Sequence, residues 1–215
     1  MSEQFIRSEI VRISKLMYEK NMVNSLEGNV SVKDGQRIYI TPASVCKGIL
    51  TEDMLVVVNE SGDVIEGDYK PTSEMKLHLE CYRLRPDITS VVHNHSTFAT
   101  AYAIANKPIE SKAYPEMIFI FDKIPVIPYG TPSTDEVHAG LHQYIHKTDV
   151  FLISRHGVVS VGSDLNDAFY KIEAVESIAK TLTIAKLIGG EASLSDEQIE
   201  TLYQMRKEKL GKDRV

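Results

Sequence analysis

This 215-residue chain has no apolar run near the roughly 18 residues that a bilayer-spanning helix requires. Its opening segment, MSEQFIRSEI, carries early acids and no apolar h-region, the pattern expected of a cytoplasmic protein without a secretory leader. Cysteine is scarce: Cys46 and Cys81 stand in no metal or redox spacing and are expected to be reduced thiols. Positive charge is not in excess either. With 30 acidic against 24 basic residues, the net charge of −6 argues against nonspecific binding to nucleic acid or anionic membranes. An anionic small substrate is still compatible, because a phosphate needs only a few local donors. Repeats, low-complexity stretches and linkers are also missing, so residues 1–215 are expected to form a single domain.

What is present is an alternation of helical and strand periodicities. Ile6, Ile10, Ile13 and Met17 recur at helical spacing, which predicts an amphipathic helix over 3–21. Val30 and Val32 alternate with polar residues, a DG turn follows and RIYIT returns, which reads as a β-hairpin. MLVVVNESGDVIEG reads as a second hairpin turning at 60–63. PTSEMKLHLECYRL predicts a helix with Met75, Leu79 and Tyr82 on its inner face. Strands are expected at 88–92, 117–121, 124–127, in VFLIS and in VVSVG, with helices at 96–105, 134–146 and 164–188. Ser195 and Gln198 form a capping box that starts a last helix, expected to fray into RKEKLGKDRV. Tight turns join several neighbouring strands, so the expected fold class is α/β with a mixed, mostly antiparallel central sheet and helices on both faces.

The residues that carry chemistry start with VVHNHS. His93 and His95 sit where an apolar strand ends, and a period of two places both rings on one face. Two readings fit: a pair of hydrogen-bonded residues at the edge of the core, or two ligands of a metal. A catalytic zinc site takes three protein ligands and keeps a fourth position open. The candidate for the third is His156 in FLISRHGVVSVG, where Gly157 is expected to let the backbone turn tightly. A rival cluster, His138, His142 and His146, falls at i, i+4 and i+8. HQYIH resembles a zinc-protease helix, but Gln143 stands where the general-base glutamate would be, so a solvated polar face is the expected reading.

Taken together, EGNVSV, ITPAS, PTSEMKLH, VVHNHS and RHGVVSVG resemble, in order and spacing, the class II zinc-dependent sugar-phosphate aldolases of the fuculose-1-phosphate type. That superfamily also holds pentulose-phosphate 4-epimerases, a methylthioribulose-1-phosphate dehydratase, sugar-acid decarboxylases and the adducin head. The resemblance implies that His93, His95 and His156 hold zinc, or another divalent transition metal, and that Glu74 is the catalytic acid–base. Aspartate occupies the Glu74 position in the epimerases, so glutamate leans toward aldol cleavage. A ketose 1-phosphate would give dihydroxyacetone phosphate and a short aldehyde, with Glu74 exchanging the proton on carbon and a pKa raised toward neutrality for that task. The substrate phosphate would rest on Gly28, Asn29, Ala43, Ser44, Thr72 and Ser73. Adducin-like heads are expected to lack the three histidines.

Two positions depart from the family pattern. Ser44 stands where aldolases often have glycine, and Glu116 stands opposite a tyrosine that a neighbouring subunit contributes as proton donor. Tyr114, two residues earlier, is the candidate for that role. The resemblance further implies a homotetramer with active sites at subunit interfaces.

Overall fold

The computed structural model describes residues 1–131, 136, 140–211 and 215. The first helix, α1 (Glu3–Glu19), begins where the Ser2 hydroxyl accepts from the Phe5 N–H, and it buries the predicted row Ile6, Ile10, Ile13 and Met17. Each such side chain contributes about 2 kcal/mol by leaving water, more than any helix propensity in the segment. Strands β1 (Asn29–Asp34), β2 (Arg37–Ile40), β3 (Val56–Val58) and β4 (Val64–Glu66) are the two expected hairpins. They join β5 (Ser90–Asn94), β8 (Val126–Ile127), β9 (Val150–Ile153) and β10 (Gly157–Gly162) in an eight-stranded sheet ordered β4-β3-β2-β1-β5-β10-β9-β8. The β8–β9 pair is parallel and the other pairs are antiparallel, so the sheet is mixed and mostly antiparallel, as expected. A separate pair, β6 (Ile109–Glu110) and β7 (Lys123–Ile124), was not foreseen.

Both faces of the sheet are covered. On one lie α1, α3 (Thr97–Ile104) and α4 (Leu165–Leu187), packed on Val30, Val32, Val92 and Val158. On the other, α2 (Met75–Leu84) and the segment around Leu141 and Ile145 cover Ile38, Val56, Val91 and Val159. The central strand β5 is buried along its whole length. Its alternation sends Val92 toward α4 and Val91 toward α2, so His93 belongs to the α2 face.

Four expectations need correction. Residues 117–121 form a π-helical turn, not a strand: the Asp122 N–H donates to Met117 O at 2.7 Å, and Asp122 takes φ +64. Tertiary packing overrides the β-prone sequence there, because Arg206 of α5 (Asp196–Leu210) is buried and donates to Phe119 O at 3.0 Å. That same contact keeps α5 helical through Leu210, where Gly211 caps it at φ +63, instead of letting it fray. The inner face of α2 is Leu77, His78, Cys81 and Tyr82, not the Met75, Leu79 and Tyr82 set, since polar groups on β1 accept His78. The helix expected over 134–146 is only a 3-10 turn at Leu141–Gln143 among the described residues; His138 lies outside them. His142 and His146 are exposed, and His142 meets Glu80 at 3.0 Å, in keeping with a solvated face.

Candidate active site

Three segments deliver the histidines to one spot. His93 is the fourth residue of β5, His95 follows two residues on, and His156 lies in the turn between β9 and β10. Because β10 pairs with β5 so that Val158 faces Asn94, this turn is carried directly beside the end of β5. The turn itself is made at Arg155, with φ +59, and not at Gly157. Gly157 is needed for a different reason. A Cβ there would lie 2.5 Å from Asn94 O, 2.7 Å from His95 Cδ2 and 3.0 Å from His93 Cε1, so any side chain would push the imidazoles apart.

The rings converge. Their centroids are 4.9 to 5.0 Å apart, and one nitrogen of each lies within 4.8 Å of the others. The His93 Nδ1–H donates to Val158 O at 3.0 Å, which aims its Nε2 into the cluster, 3.1 Å from His95 Nε2. Two nitrogens bound about 2.1 Å from one tetrahedral ion stand about 3.4 Å apart, so this spacing fits a divalent metal. Burial, and then the charge of His93, holds His95 and His156 down to about 4, so both offer neutral lone pairs at pH 7. A fourth group faces the cluster. Glu74, 7% exposed, places Oε2 at 3.0 Å from His93 Nε2 and Oε1 at 3.1 Å from His156 Nε2.

Burial pushes the Glu74 carboxyl up, but His93, His156 and a hydrogen bond from Asn29 outweigh it and hold the group ionised, well below the usual carboxylate range. This reverses the expected upward shift, because opposite charges at hydrogen-bond distance exceed the desolvation cost. Its partner His93 moves the other way: burial lowers it, Glu74 overrides, and the net shift is upward. Glu74 also stands at the N-cap of α2, where free N–H groups favour the anion.

Around Glu74 lie the expected phosphate residues. Thr72 N–H donates to Thr41 O at 3.1 Å and Ala43 N–H to Lys70 O at 2.9 Å, which clamps the ITPAS and PTSE segments side by side. The Ala43 N–H is therefore already committed, while Ser44 and Ser73 present their side chains to solvent and Thr72 is buried. Ser44 keeps φ +57, a left-handed conformation that glycine would adopt with less strain. Gly28 has φ +74, and a Cβ would strike Val23 Cγ1 at 2.4 Å. Tyr114 is not brought to the histidines within this chain; it packs against the core on the α1–α4 face, and Glu116 is exposed.

Several neighbours of the site were not found from sequence. Glu27 Oε1 lies 3.4 Å from His95 Nδ1. The Glu176 carboxylate of α4 accepts from Phe98 N–H at 3.0 Å and Ala99 N–H at 2.9 Å, capping α3 just after the histidine pair. His78 is fully buried between Asn29 and Ser31. Periodicity held a signal for the last of these: Asn29 and Ser31 are polar residues on one face of a strand whose other face is valine.

Comparison with known proteins agrees with this geometry. The family described as Class II Aldolase and Adducin N-terminal domain matches residues 8–183. The chain belongs to that family. Among family relatives, an L-fuculose phosphate aldolase of Methanococcus vannielii is 37% identical over 175 residues, covering 80% of this chain and 92% of the relative. A 3-oxo-tetronate 4-phosphate decarboxylase of Pectobacterium atrosepticum is 32% identical over 192 residues, covering 85% and 86%. Among solved structures of the class II aldolase fold, an L-fuculose 1-phosphate aldolase superposes with a TM-score of 0.87 at 29% identity, covering 96% and 98%. No helix among the described residues is long and apolar enough to cross a membrane.

The buried His78 has a consequence for acid stability. Burial pushes it down to about 3, so between its ordinary value of about 6.5 and that limit the unfolded chain binds a proton that the fold does not. Its contribution is present above pH ~6.5 and is lost as pH falls. Urea unfolding should show the wild type losing about 2 kcal/mol more than His78→Gln between pH 6.5 and 5. Equal losses in the two proteins would mean that His78 is not held neutral.

Proposed function

We propose that this class II aldolase-family enzyme catalyses reversible, metal-dependent aldol cleavage of a ketose 1-phosphate to dihydroxyacetone phosphate and a short aldehyde. The observation that carries the reading is the Glu74 carboxylate, ionised and buried against three converging imidazoles. His93, His95 and His156 would hold the metal. Bound there, zinc supplies Lewis acidity that stabilises negative charge on substrate oxygens.

The chain's own residues do the rest. Ser44, Thr72 and Ser73, with the backbone at Gly28, bind the phosphate beside the N-terminus of α2. Loss of the C4 hydroxyl proton breaks the C3–C4 bond and releases the aldehyde, leaving an electron pair on C3. Glu74 then delivers a proton to C3; in condensation it removes the same proton. Oε2 is occupied by the Asn29 amide, whereas Oε1 has no hydrogen-bond donor, so Oε1 is the oxygen that carries the proton. Tyr114 of a neighbouring copy exchanges the proton on the aldehyde oxygen, within a cytoplasmic homotetramer.

The decarboxylase relative favours a second reading. Loss of carbon dioxide from a 3-oxo acid also leaves an electron pair beside a ketone for Glu74 to protonate. The deciding assay offers fuculose 1-phosphate, 5-deoxyribulose 1-phosphate and 3-oxo-tetronate 4-phosphate to protein as purified, chelator-stripped and zinc-restored. Zinc-dependent triose phosphate from a ketose phosphate is the expected result. Carbon dioxide from the third compound alone would replace it with the decarboxylase reading.

A further inference from the structure

Behind Glu74, on the side away from the histidines, runs a closed line of hydrogen bonds that the proposed chemistry does not use. The Asn29 Nδ2–H donates to Glu74 Oε2 at 3.0 Å. The carboxylate can only accept, so the amide must turn its NH2 toward Glu74 and its Oδ1 toward His78, whose Nε2 lies 2.5 Å away. An amide oxygen also only accepts, which puts the hydrogen of His78 on Nε2. Ser31 Oγ lies 2.7 Å from His78 Nδ1, and Tyr82 Oη lies 2.7 Å from Ser31 Oγ. In a neutral ring Nδ1 has a lone pair, so the Ser31 hydroxyl donates to it and the Tyr82 hydroxyl donates to Ser31. Every donor in the line points toward the carboxylate: Tyr82, Ser31, His78, Asn29, Glu74.

All of these side chains are buried, and His78 is 0% exposed. They come from two rigid elements, Asn29 and Ser31 from β1, His78 and Tyr82 from α2. A sheet strand and the helix that bears Glu74 are thus cross-linked behind the reacting group. Resting on the reading of Glu74 as the acid–base group, we infer that His78 is a positioning residue. In its Nε2–H form it locks the Asn29 amide in one orientation, and Asn29 in turn fixes Glu74 Oε2, leaving Oε1 directed at the cluster. Asn29 accordingly serves the carboxylate with its side chain, and the phosphate has no claim on that amide. Rotation of the amide would place oxygen against carboxylate, and the Nε2–H hydrogen of His78 prevents it.

The test has two arms. Nitrogen-15 NMR of the imidazoles in the full-length protein, zinc-loaded and zinc-free, should show His78 as the neutral Nε2–H tautomer in both. A Nδ1–H tautomer, or averaging between the two, would overturn the inference without reference to activity. In the second arm, His78→Gln keeps a donor near the Nε2 position, whereas His78→Asn keeps only the end that meets Ser31. His78→Asn should lower kcat about 10- to 100-fold with KM and zinc stoichiometry unchanged, and His78→Gln should recover most of that loss. Ser31→Ala, a milder change, should release the tautomer and lower kcat in the same direction should His78→Asn not fold. An active wild type whose folded His78→Asn keeps full kcat, or whose two variants fall equally, overturns the inference alone. A zinc-loaded wild type inactive on all ketose phosphates instead removes the functional reading, before any variant is compared.

Discussion

Replacing His156 by alanine is expected to leave the protein folded but without stoichiometric zinc, and to lower kcat/KM at least ~10³-fold, about 4 kcal/mol of lost transition-state stabilisation. Two imidazoles at the end of β5 would remain, and neutral donors in that number hold a divalent ion poorly against water. The mechanism of loss is local. His156 enters from the β9–β10 turn, is partly exposed and has its Nδ1 without a hydrogen-bond partner, so its removal breaks no structural contact except that with Glu74. Metal content by atomic absorption and circular dichroism on the same sample check both halves of the expectation. His142→Ala is the matched control, since that ring is exposed and meets only Glu80 in the ion pairs described. A His156→Ala protein that kept zinc and full activity would remove the metal centre from this site.

Glu74→Gln is expected to retain zinc and to reduce kcat by about 10² to 10⁴, the range for removing a positioned general acid–base. The amide is nearly isosteric with the carboxylate, so α2 and its N-cap persist. What is lost is the ability to hold a proton at Oε1. The most direct readout is deuterium exchange into dihydroxyacetone phosphate in the absence of aldehyde, which requires proton removal from carbon and nothing else. Exchange should vanish with the variant. Wild-type exchange in a zinc-loaded Glu74→Gln protein would assign the proton transfer to another group.

Much of this arrangement was readable from residue order because the elements concerned are governed by short-range rules. The hairpins around residues 35 and 62, the row Ile6–Met17 and the capping box at Ser195 follow from turn chemistry, helical spacing and a local cap, and all appear in the structure. The convergence of His93, His95 and His156 was anticipated from strand ends and resemblance together. What escaped was decided by distant partners. Residues 117–121 have strand-forming side chains, but Arg206 and Asp122 fix them as a π turn. His78 was counted as one more histidine because its acceptors on β1 belong to another part of the chain. The downward shift of Glu74 depended on contacts of 3.0 and 3.1 Å, which no spacing rule contains.

The placement of β5 between β1 and β10 also bears on the lifetime of the folded molecule. The histidine cluster exists only once strands from the beginning, middle and end of the chain have paired, and such long-range pairings are slow to form. A cation held there would therefore act on the native side of the folding barrier. It would slow escape from the native state while leaving the rate of reaching it nearly unchanged. Scarcity of metal would then shorten the time each molecule stays folded, with newly made chains still reaching the same structure.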